Sequence, residues 1–177
     1  LPEVIAQELK LPVTINEKRE SPQLDAKHNM EFDKQSHLYL APSQEKAKGR
    51  FGRQFFASKQ GGIYMSLHLK PNVPFEEIKP YTLMVASSIV KAISRLTSIE
   101  TDIKWVNDIY YNGKKIAGIL TEAISSVETG LITDVIIGVG INFYITDFPK
   151  AISQKAGSLF SSQPTITRNE LITEIWK

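Results

Sequence analysis

Short runs of apolar residues, several of them alternating with polar residues, are the main pattern along this chain. A two-residue alternation is typical of β-strands with one buried face, and the runs predict strands at 11–17, 37–41, 63–69, 103–107 and 131–142. The 63–69 stretch is almost continuously apolar and β-prone, so we expect it near the centre of a sheet. The pattern therefore predicts a chain organised around a β-sheet.

Three segments instead carry the spacing or the end signals of helices. Apolar residues recur every three or four positions over 82–96, which predicts a long amphipathic helix. Ser21 followed by Pro22 is typical of a helix start, and this helix is expected to reach about residue 32. A Thr-x-x-Glu capping box at 167–170 predicts a last helix.

Asn112 and Gly113 are the clearest turn signal in the chain. They separate a short apolar arm at 109–111 from a second arm expected to run from Lys115 to about Ala123, and both turn residues tolerate positive φ. Hairpin-linked strands with helices between them favour the α+β class: a mixed, mostly antiparallel sheet with helices packed largely on one face. We expect residues 1–177 to form a single domain.

The composition narrows the class of protein without identifying it. The 177 residues are 42% hydrophobic and 23% charged, with a net charge of +2, which is too small to argue for nucleic acid. The absence of cysteine excludes disulfides and thiolate metal sites and is compatible with a cytoplasmic location. No apolar run is long enough to span a membrane, so we expect no membrane partner.

The most informative segment runs from Gln44 to Arg53. It places four cations beside two glycines: Lys46, Lys48, Gly49, Arg50, Gly52 and Arg53. Such a loop can close over phosphates or a carboxylate, although many charged runs are simply solvated surface. Phe51 and Phe55 add aromatic rings that suit a flat base such as adenine. The segment lacks the P-loop pattern.

Lys104 is a second candidate. It lies in an apolar stretch that ends in Asn107 and Asp108. A strand lysine often extends to water, but a partly buried lysine at a strand end would supply a fixed positive charge where negative charge develops.

Two glycine pairs lie in or beside predicted strands. Gly138 and Gly140 do not form a dinucleotide fingerprint, because no helix-forming segment and no third glycine follow. They, and likewise Gly61 and Gly62, are expected to leave room for a flat ligand, with turn and packing roles as the alternative. The three histidines have no ligand spacing, so we expect surface or sheet positions and no protein-held metal.

Taken in order, these motifs resemble those of the biotin protein ligases. The matching segments are Ser21-Pro22-Gln23-Leu24-Asp25-Ala26-Lys27, Gln44 to Arg53, Gly61-Gly62-Ile63-Tyr64-Met65-Ser66, Lys104-Trp105-Val106-Asn107-Asp108, Lys115-Ile116-Ala117-Gly118-Ile119-Leu120 and Ile137-Gly138-Val139-Gly140-Ile141-Asn142. The resemblance implies a fold like that of biotin ligases and class II aminoacyl-tRNA synthetases. It also implies activation of biotin by ATP as biotinyl-5′-AMP and transfer to a lysine of a biotin carboxyl carrier domain, with Mg²⁺ arriving on ATP.

The resemblance also implies residue roles. Lys104 and Arg50 would be catalytic. The biotin site would comprise Ser21, Gln23, Gln44, Gly49, Arg50, Tyr64, Lys104, Gly118 and Gly140, and the adenylate site Arg50, Arg53, Phe55, Asn107 and Asn142.

The chain departs from the family pattern at a few positions. Pro22 stands where a threonine is usual, Ala47 and Lys48 where the loop has Gly-Arg, and Phe55 where a tryptophan is usual. An N-terminal DNA-binding domain and a C-terminal β-barrel are not expected, and hence no DNA partner, while a homodimer is left open. Lipoate or octanoate attachment in the same fold, and a noncatalytic module for single-stranded nucleic acid, are the alternative functions.

Overall fold

A computed structural model describes residues 2–15, 21–30, 33, 35–41, 61–104, 107–145, 148, 150 and 154–177. Within these ranges the helices are α1 (Pro2–Leu9), α2 (Pro22–His28), α3 (Tyr81–Leu96) and α4 (Arg168–Trp176). The strands are β1 (Val13–Ile15), β2 (His37–Ala41), β3 (Gly62–Leu69), β4 (Val73–Pro74), β5 (Asp102–Lys104), β6 (Asp108–Tyr111), β7 (Lys114–Ser125) and β8 (Leu131–Asn142).

The strands form one eight-stranded sheet in the order β1-β2-β3-β8-β7-β6-β5, and the short β4 also pairs with β8. The β1–β2 pair is parallel, and the other pairs are antiparallel. The expected mixed, mostly antiparallel sheet is therefore confirmed. At the centre of the sheet the long strand β8 lies between β3 and the long strand β7.

The two faces of the sheet have different contents. On one face, alternate side chains such as Met65 and Val139 pack with apolar residues of α1, α3 and α4 in the main core. On the other face α2 packs against β2, β3 and β8, and its Ala26 joins a small cluster with Tyr39 and Ile136. Because three of these four helices cover one face, the second face carries more polar residues and the glycines.

Local signals predicted several elements well. β2 and β8 have the predicted bounds, and α3 begins one residue before the predicted start. In the capping box of α4, the Thr167 hydroxyl accepts from the Glu170 backbone N–H at 3.1 Å, and the Glu170 carboxylate accepts from the Thr167 N–H at 3.0 Å. Asn112 and Gly113 both have positive φ, 51° and 76°, as a two-residue hairpin requires.

Other predictions were wrong. The strand predicted at 103–107 is shorter: β5 ends at Lys104 and Asn107 lies in no strand, because β6 begins at Asp108 and pairs back with Lys104. Residues 105 and 106 lie outside the described part of the chain. Helix α2 ends at His28 rather than near residue 32. Asn29 is its C-cap: its backbone N–H donates to the Asp25 carbonyl at 3.1 Å, and its side-chain amide donates to the same carbonyl at 2.9 Å. The patterns did not predict α1.

Candidate functional site

The centre of the candidate site is a row of residues that runs across five strands on the α2 face. Tyr64 pairs with Gly140, Gly140 with Gly118, Gly118 with Asp108, and Asp108 with Lys104. Residues directly opposite each other in a sheet point to the same face. The strand spacing of about 4.8 Å makes this row roughly 19 Å long. Two adjacent glycines lie at the middle of the row, with a tyrosine at one end and charged residues at the other.

Lys104 lies at the charged end but is not partly buried as predicted. It is exposed, as are its neighbours Asp102 and Ile103, because β5 is an edge strand of the sheet. Its ammonium lies 4.4 Å from the centroid of the Tyr110 ring, within the range of a cation–π contact. The lysine is therefore held at the end of this row by its contact with the Tyr110 ring rather than by burial.

Lys115 is a second cation at this end, and the sequence analysis gave it no role. Ile116 has no pairing partner in the β6–β7 ladder, where Tyr110 pairs with Lys115 and Ile109 pairs with Ala117. Both Ile116 and Ala117 are fully buried in the core, and this bulge leaves the Lys115 ammonium 3.0 Å from the Asp108 carboxylate. The signal in the sequence was the pair Ile116 and Ala117, two adjacent apolar residues that interrupt the alternation of apolar and polar positions and so indicate a bulge beside Lys115.

The N-terminus of α2 forms the uncharged side of the site. Ser21 is buried and is the N-cap of the helix, where its hydroxyl accepts from the Leu24 backbone N–H at 3.2 Å. Pro22 occupies the first helical position, as predicted. The cap and the proline together direct the first turn of α2, and with it Gln23, onto the sheet.

Three glycines that were expected to leave room for a ligand are instead required by the packing of the protein itself, because a side chain there would collide with neighbouring residues. A Cβ on Gly138 would lie 2.6 Å from the Gln23 amide oxygen, and one on Gly62 would collide with the Tyr64 ring. Gly61 has a φ of +83°, and a Cβ there would collide with the Tyr144 carbonyl. The expectation was therefore wrong for Gly138, Gly61 and Gly62, because tertiary packing fills the space beside them. It stands as a prediction for Gly140, and the biotin contact that the resemblance implies for Gly118 also stays a prediction.

Asn142 follows Gly140 by two residues on β8, so its side chain belongs to the same face as the glycine row. The residue is 4% exposed, and its side-chain amide donates to the Gly157 carbonyl at 3.0 Å. Among the parts of the chain that the structure covers, nothing donates to its buried Oδ1. Such an orphaned acceptor is unusual. Asn107 is half-buried, and its backbone carbonyl accepts from Ile119 at 2.9 Å.

The remaining predicted site residues lie outside the described part of the chain. They are the members of the basic loop: Gln44, Gly49, Arg50, Arg53 and Phe55. Their roles remain predictions.

A buried polar cluster lies on the same face, two residues beyond Ser66 on β3. His68 is fully buried, with Nδ1 2.8 Å from an Asp33 carboxylate oxygen and Nε2 2.6 Å from Asp134. Burial by itself raises the pKa of Asp134, but hydrogen bonds from Lys70, His68 and Thr133 outweigh it and hold that pKa below its usual value. His68 is thus a sheet residue, as expected, but a paired one.

The Tyr39 hydroxyl donates to the other side of this cluster, to Asp33 at 2.6 Å. Burial first, and then this hydrogen bond, raise the pKa of Tyr39 well above its usual value. In the region that the model describes, no group of three or more His, Asp or Glu side chains is arranged to hold a metal ion. No helix there is long and apolar enough to cross a bilayer.

The sheet order and the glycine row together indicate the class of domain, that of the biotin and lipoate protein ligases. The model of the biotin/lipoate A/B protein ligase family matches residues 13–142, and the chain belongs to this family. The resemblance inferred from the motifs is thereby confirmed.

Individual relatives agree with this assignment. The bifunctional ligase/repressor BirA of Bacillus spizizenii is 41% identical over 124 residues, which are 69% of this chain and 38% of that protein. The biotin–[acetyl-CoA-carboxylase] ligase of Mycobacterium tuberculosis is 29% identical over 126 residues, 69% of this chain and 44% of that one. The chain therefore spans less than half the length of these relatives.

Solved structures give the same result. The biotin protein ligase from Aquifex aeolicus in complex with biotin and ATP superposes with a TM-score of 0.77 and 27% identity, over 93% of this chain and 67% of that one. The apo structure of the same ligase gives a TM-score of 0.71. The α+β fold expected from the pattern is that of the biotin protein ligases.

Proposed function

We propose that this chain is the catalytic domain of an ATP-dependent biotin–protein ligase. It would join biotin to ATP as biotinyl-5′-AMP and then transfer biotin to a lysine of a biotin carboxyl carrier domain. The observation that carries the proposal is the register of Tyr64, Gly140, Gly118, Asp108 and Lys104 in one row. At the middle of that row two adjacent glycines leave the sheet without side chains, and cations lie at one end.

The relatives support the choice of substrate. A structure that covers 93% of this chain holds biotin and ATP, and the relatives at 41% and 29% identity are named as biotin ligases or bifunctional ligases. Family membership alone leaves lipoate open, because the family includes both kinds of ligase. Biotin is therefore the primary candidate, and lipoate is the alternative that an experiment must exclude.

In this proposal the acid lies along the glycine floor with its carboxylate toward Lys104 and Lys115. Both ammonium groups are at that end of the row, one beside Tyr110 and one beside Asp108. Tyr64 would close the opposite end, and Ser21 and Gln23, at the start of α2, would contact biotin. Of the loop residues, Arg50 is proposed as catalytic, and Gln44, Gly49 and Arg50 would contact biotin.

The adenylate is proposed to lie beyond Gly140, toward Asn142. The buried amide of Asn142 is on that side, and its Oδ1 is the kind of acceptor that an adenine or ribose donor satisfies. Asn107, which the resemblance also assigns to the adenylate, lies on the other side of the row, because its carbonyl accepts from Ile119, the partner of Val139. Arg50 and Arg53 would hold phosphates, and Phe55 would face the base. Mg²⁺ is expected to arrive bound to ATP.

The chemistry explains why cations must be in place beforehand. A carboxylate oxygen attacks the α-phosphorus, the bond to the bridging oxygen breaks, and pyrophosphate leaves with that electron pair. Two anions approach each other in this step, so fixed positive charge lowers its barrier. In the second step the acceptor lysine amine attacks the acyl carbon, loses a proton and displaces AMP. Exclusion of water from the mixed anhydride is needed between the two steps.

The test is biotin-dependent exchange of labelled pyrophosphate into ATP, which reports the first step without an acceptor protein. Exchange is expected with biotin and not without it. Calorimetric titration with biotin and, separately, with lipoate compares the two acids directly. Tighter binding of lipoate would overturn the choice of substrate, and absence of exchange with either acid would overturn the proposed function. The proposal also includes a cytoplasmic location and a carrier domain as the acceptor.

A further inference from the structure

A buried carboxylate, that of Asp33, ties the segment between α2 and β2 to the rest of the protein. Its backbone N–H donates to the Asn29 carbonyl at 3.0 Å, directly after the end of the helix. One carboxylate oxygen accepts from the Tyr39 hydroxyl of β2 at 2.6 Å and lies 2.8 Å from His68 Nδ1 of β3. The other oxygen lies 3.4 Å from Nδ1 of His37. One side chain therefore joins the end of α2 to two strands.

His68 extends this connection to a third strand. The residue has no exposed surface, and its Nε2 lies 2.6 Å from the Asp134 carboxylate of β8. The same carboxylate oxygen accepts from the Lys70 ammonium at 2.9 Å, and Lys70 also donates to the Met30 carbonyl at 3.0 Å. Met30 is the second residue after α2. Two contacts from the α2–β2 segment, one through His68 and one through Lys70, thus meet at Asp134.

Stability alone does not explain a polar cluster at this place. A buried pair of charged groups is often no more stable than apolar side chains of the same volume. Apolar neighbours are close by, since His68 is paired with Ile136, which packs with Ala26 of α2 and with Tyr39. Hydrogen bonds differ from apolar contacts in that they require a defined distance and direction. The cluster therefore specifies where the α2–β2 segment lies relative to β3 and β8.

The position of this segment constrains the whole helix. Helix α2 has seven residues, Pro22–His28, and is only about 10 Å long. At its start, the Gln23 amide oxygen accepts from the Ser66 hydroxyl at 2.7 Å, and after its end the cluster holds Asp33. Ser66 and His68 are two residues apart on the same face of β3. Because so short a helix is held at both ends, a displacement at its end is transmitted to its start.

We propose that His68 is a positioning residue of the acid site, which acts through Asp33 and the end of α2. It contacts neither the acid nor ATP. By linking Asp33 to Asp134 it sets how closely the start of α2 approaches the glycines of the sheet. The inference rests on the proposed function, in which the start of α2 contacts the acid. Loss of His68 should therefore weaken binding of the acid and leave binding of ATP unaffected.

The first experiment measures the kinetics of pyrophosphate exchange by His68→Leu and His68→Gln. Leucine removes both contacts of the ring, so the KM for biotin should rise about tenfold, because even a displacement of about 1 Å from a distant mutation has large effects at a site. The KM for ATP should stay near the wild-type value. Glutamine keeps a donor that can reach one of the two carboxylates, so it should recover part of the biotin affinity.

Tyr39→Phe keeps the measurement decisive if His68→Leu does not fold. It removes the hydroxyl that donates to Asp33 and preserves the packing of the ring. The KM for biotin should rise by less than in His68→Leu, again with the KM for ATP unchanged. An unchanged KM for biotin in a folded Tyr39→Phe protein would overturn the role of the cluster.

Ile137→Val is the matched control for a general loss of stability. Ile137 adjoins Ile136 on β8 but packs in the main core on the opposite face of the sheet, so the shorter side chain weakens packing there without touching the cluster. Both KM values should stay near those of the wild type, with all variants measured well below their melting temperatures. A folded His68→Leu protein with the KM values of Ile137→Val would overturn the positioning role.

Hydrogen exchange of backbone amides tests the same proposal without a ligand. The Leu24 and Asp25 N–H groups in the first turn of α2 donate to the Ser21 carbonyl. Their protons should exchange with solvent faster in His68→Leu than in Ile137→Val, because the helix is released at its far end. Equal proton-exchange rates would overturn the positioning role and leave the proposed function intact.

Failure of the proposed function gives a different result. A wild-type protein without biotin-dependent pyrophosphate exchange would overturn the proposed function and, with it, the acid site on which His68 is said to act. The amide proton-exchange rates would still show whether His68 holds the helix, because that measurement needs neither biotin nor ATP.

Discussion

Gly118 and Gly140 lie directly opposite each other on β7 and β8, between Tyr64 on one side and Asp108 on the other. Glycine weakens the interior of a strand, since it adds backbone entropy in the unfolded chain and no side chain to pack. Two of them in register at the centre of the sheet are therefore costly for stability alone. The surface that they leave flat is the feature on which the proposed acid site depends.

Gly118→Val is expected to abolish activity while preserving the fold. Valine suits a strand, so the stability should be equal or higher, whereas the branched side chain would stand in the proposed acid site. Biotin-dependent pyrophosphate exchange should fall by about 10²-fold or more, comparable with the loss of a main catalytic contact. Circular dichroism should show a melting temperature at least equal to that of the wild type.

The matched control is Ile119→Val, the next residue of β7, which points into the main core. It should cost about 1 kcal/mol of stability and leave the exchange rate near that of the wild type. Full exchange by Gly118→Val would mean that the acid does not lie on this floor.

Lys104→Ala should remove most of the exchange activity without affecting folding. The side chain is exposed on an edge strand, so its loss should hardly change the free energy of unfolding. Loss of a fixed cation beside developing negative charge should reduce the rate by about 10²- to 10³-fold. Lys114→Ala, another exposed lysine nearby on β7, serves as the control and should retain its rate. If the two variants behaved alike, the catalytic role of Lys104 would be refuted.

Asn142→Ala tests where the nucleotide lies. The variant loses the hydrogen bond to Gly157 and the orphaned acceptor. We expect the KM for ATP to rise about tenfold, which corresponds to the loss of one hydrogen bond of about 1.4 kcal/mol, and the KM for biotin to stay unchanged. Steady-state exchange kinetics with each substrate varied in turn measure both constants. A rise confined to the biotin KM would contradict the assignment.

Asp134→Asn should destabilise the protein in a pH-dependent way. Removing one partner of a buried ion pair costs about 3 kcal/mol, and here Lys70 and His68 would both lose a carboxylate. The folded-state pKa of Asp134 lies below the ordinary value of 3.8. The stability from its ionised form is therefore complete above about pH 4 and is lost as the pH falls through the lowered pKa.

Urea unfolding of the wild type and the variant at pH 7 and at pH 3 measures this difference. The difference in the free energy of unfolding between the two proteins should be large at pH 7 and smaller at pH 3. Asp102→Asn, on the exposed edge strand β5, should show little difference at either pH. A difference in the free energy of unfolding that grew toward pH 3 would contradict the lowered pKa of Asp134.

Features set by near neighbours in the chain could be predicted from the residues alone. The Thr167 capping box, the Ser21–Pro22 helix start and the Asn112–Gly113 turn each depend on residues within a few positions of one another. The alternation of apolar residues likewise defined β2 and β8. Family membership followed from motifs of the same short range.

Features that depend on strand partners could not be predicted in this way. Alternation states which face of a strand is buried but not which strand lies beside it or in what register. The row from Tyr64 to Lys104, the bulge that brings Lys115 to Asp108 and the paired state of His68 all arise from such pairing. The same holds for Gly138, where the space that a side chain would need is occupied by Gln23, 115 residues earlier in the chain. The residue types thus define what chemistry is available, and long-range packing defines which of those residues meet.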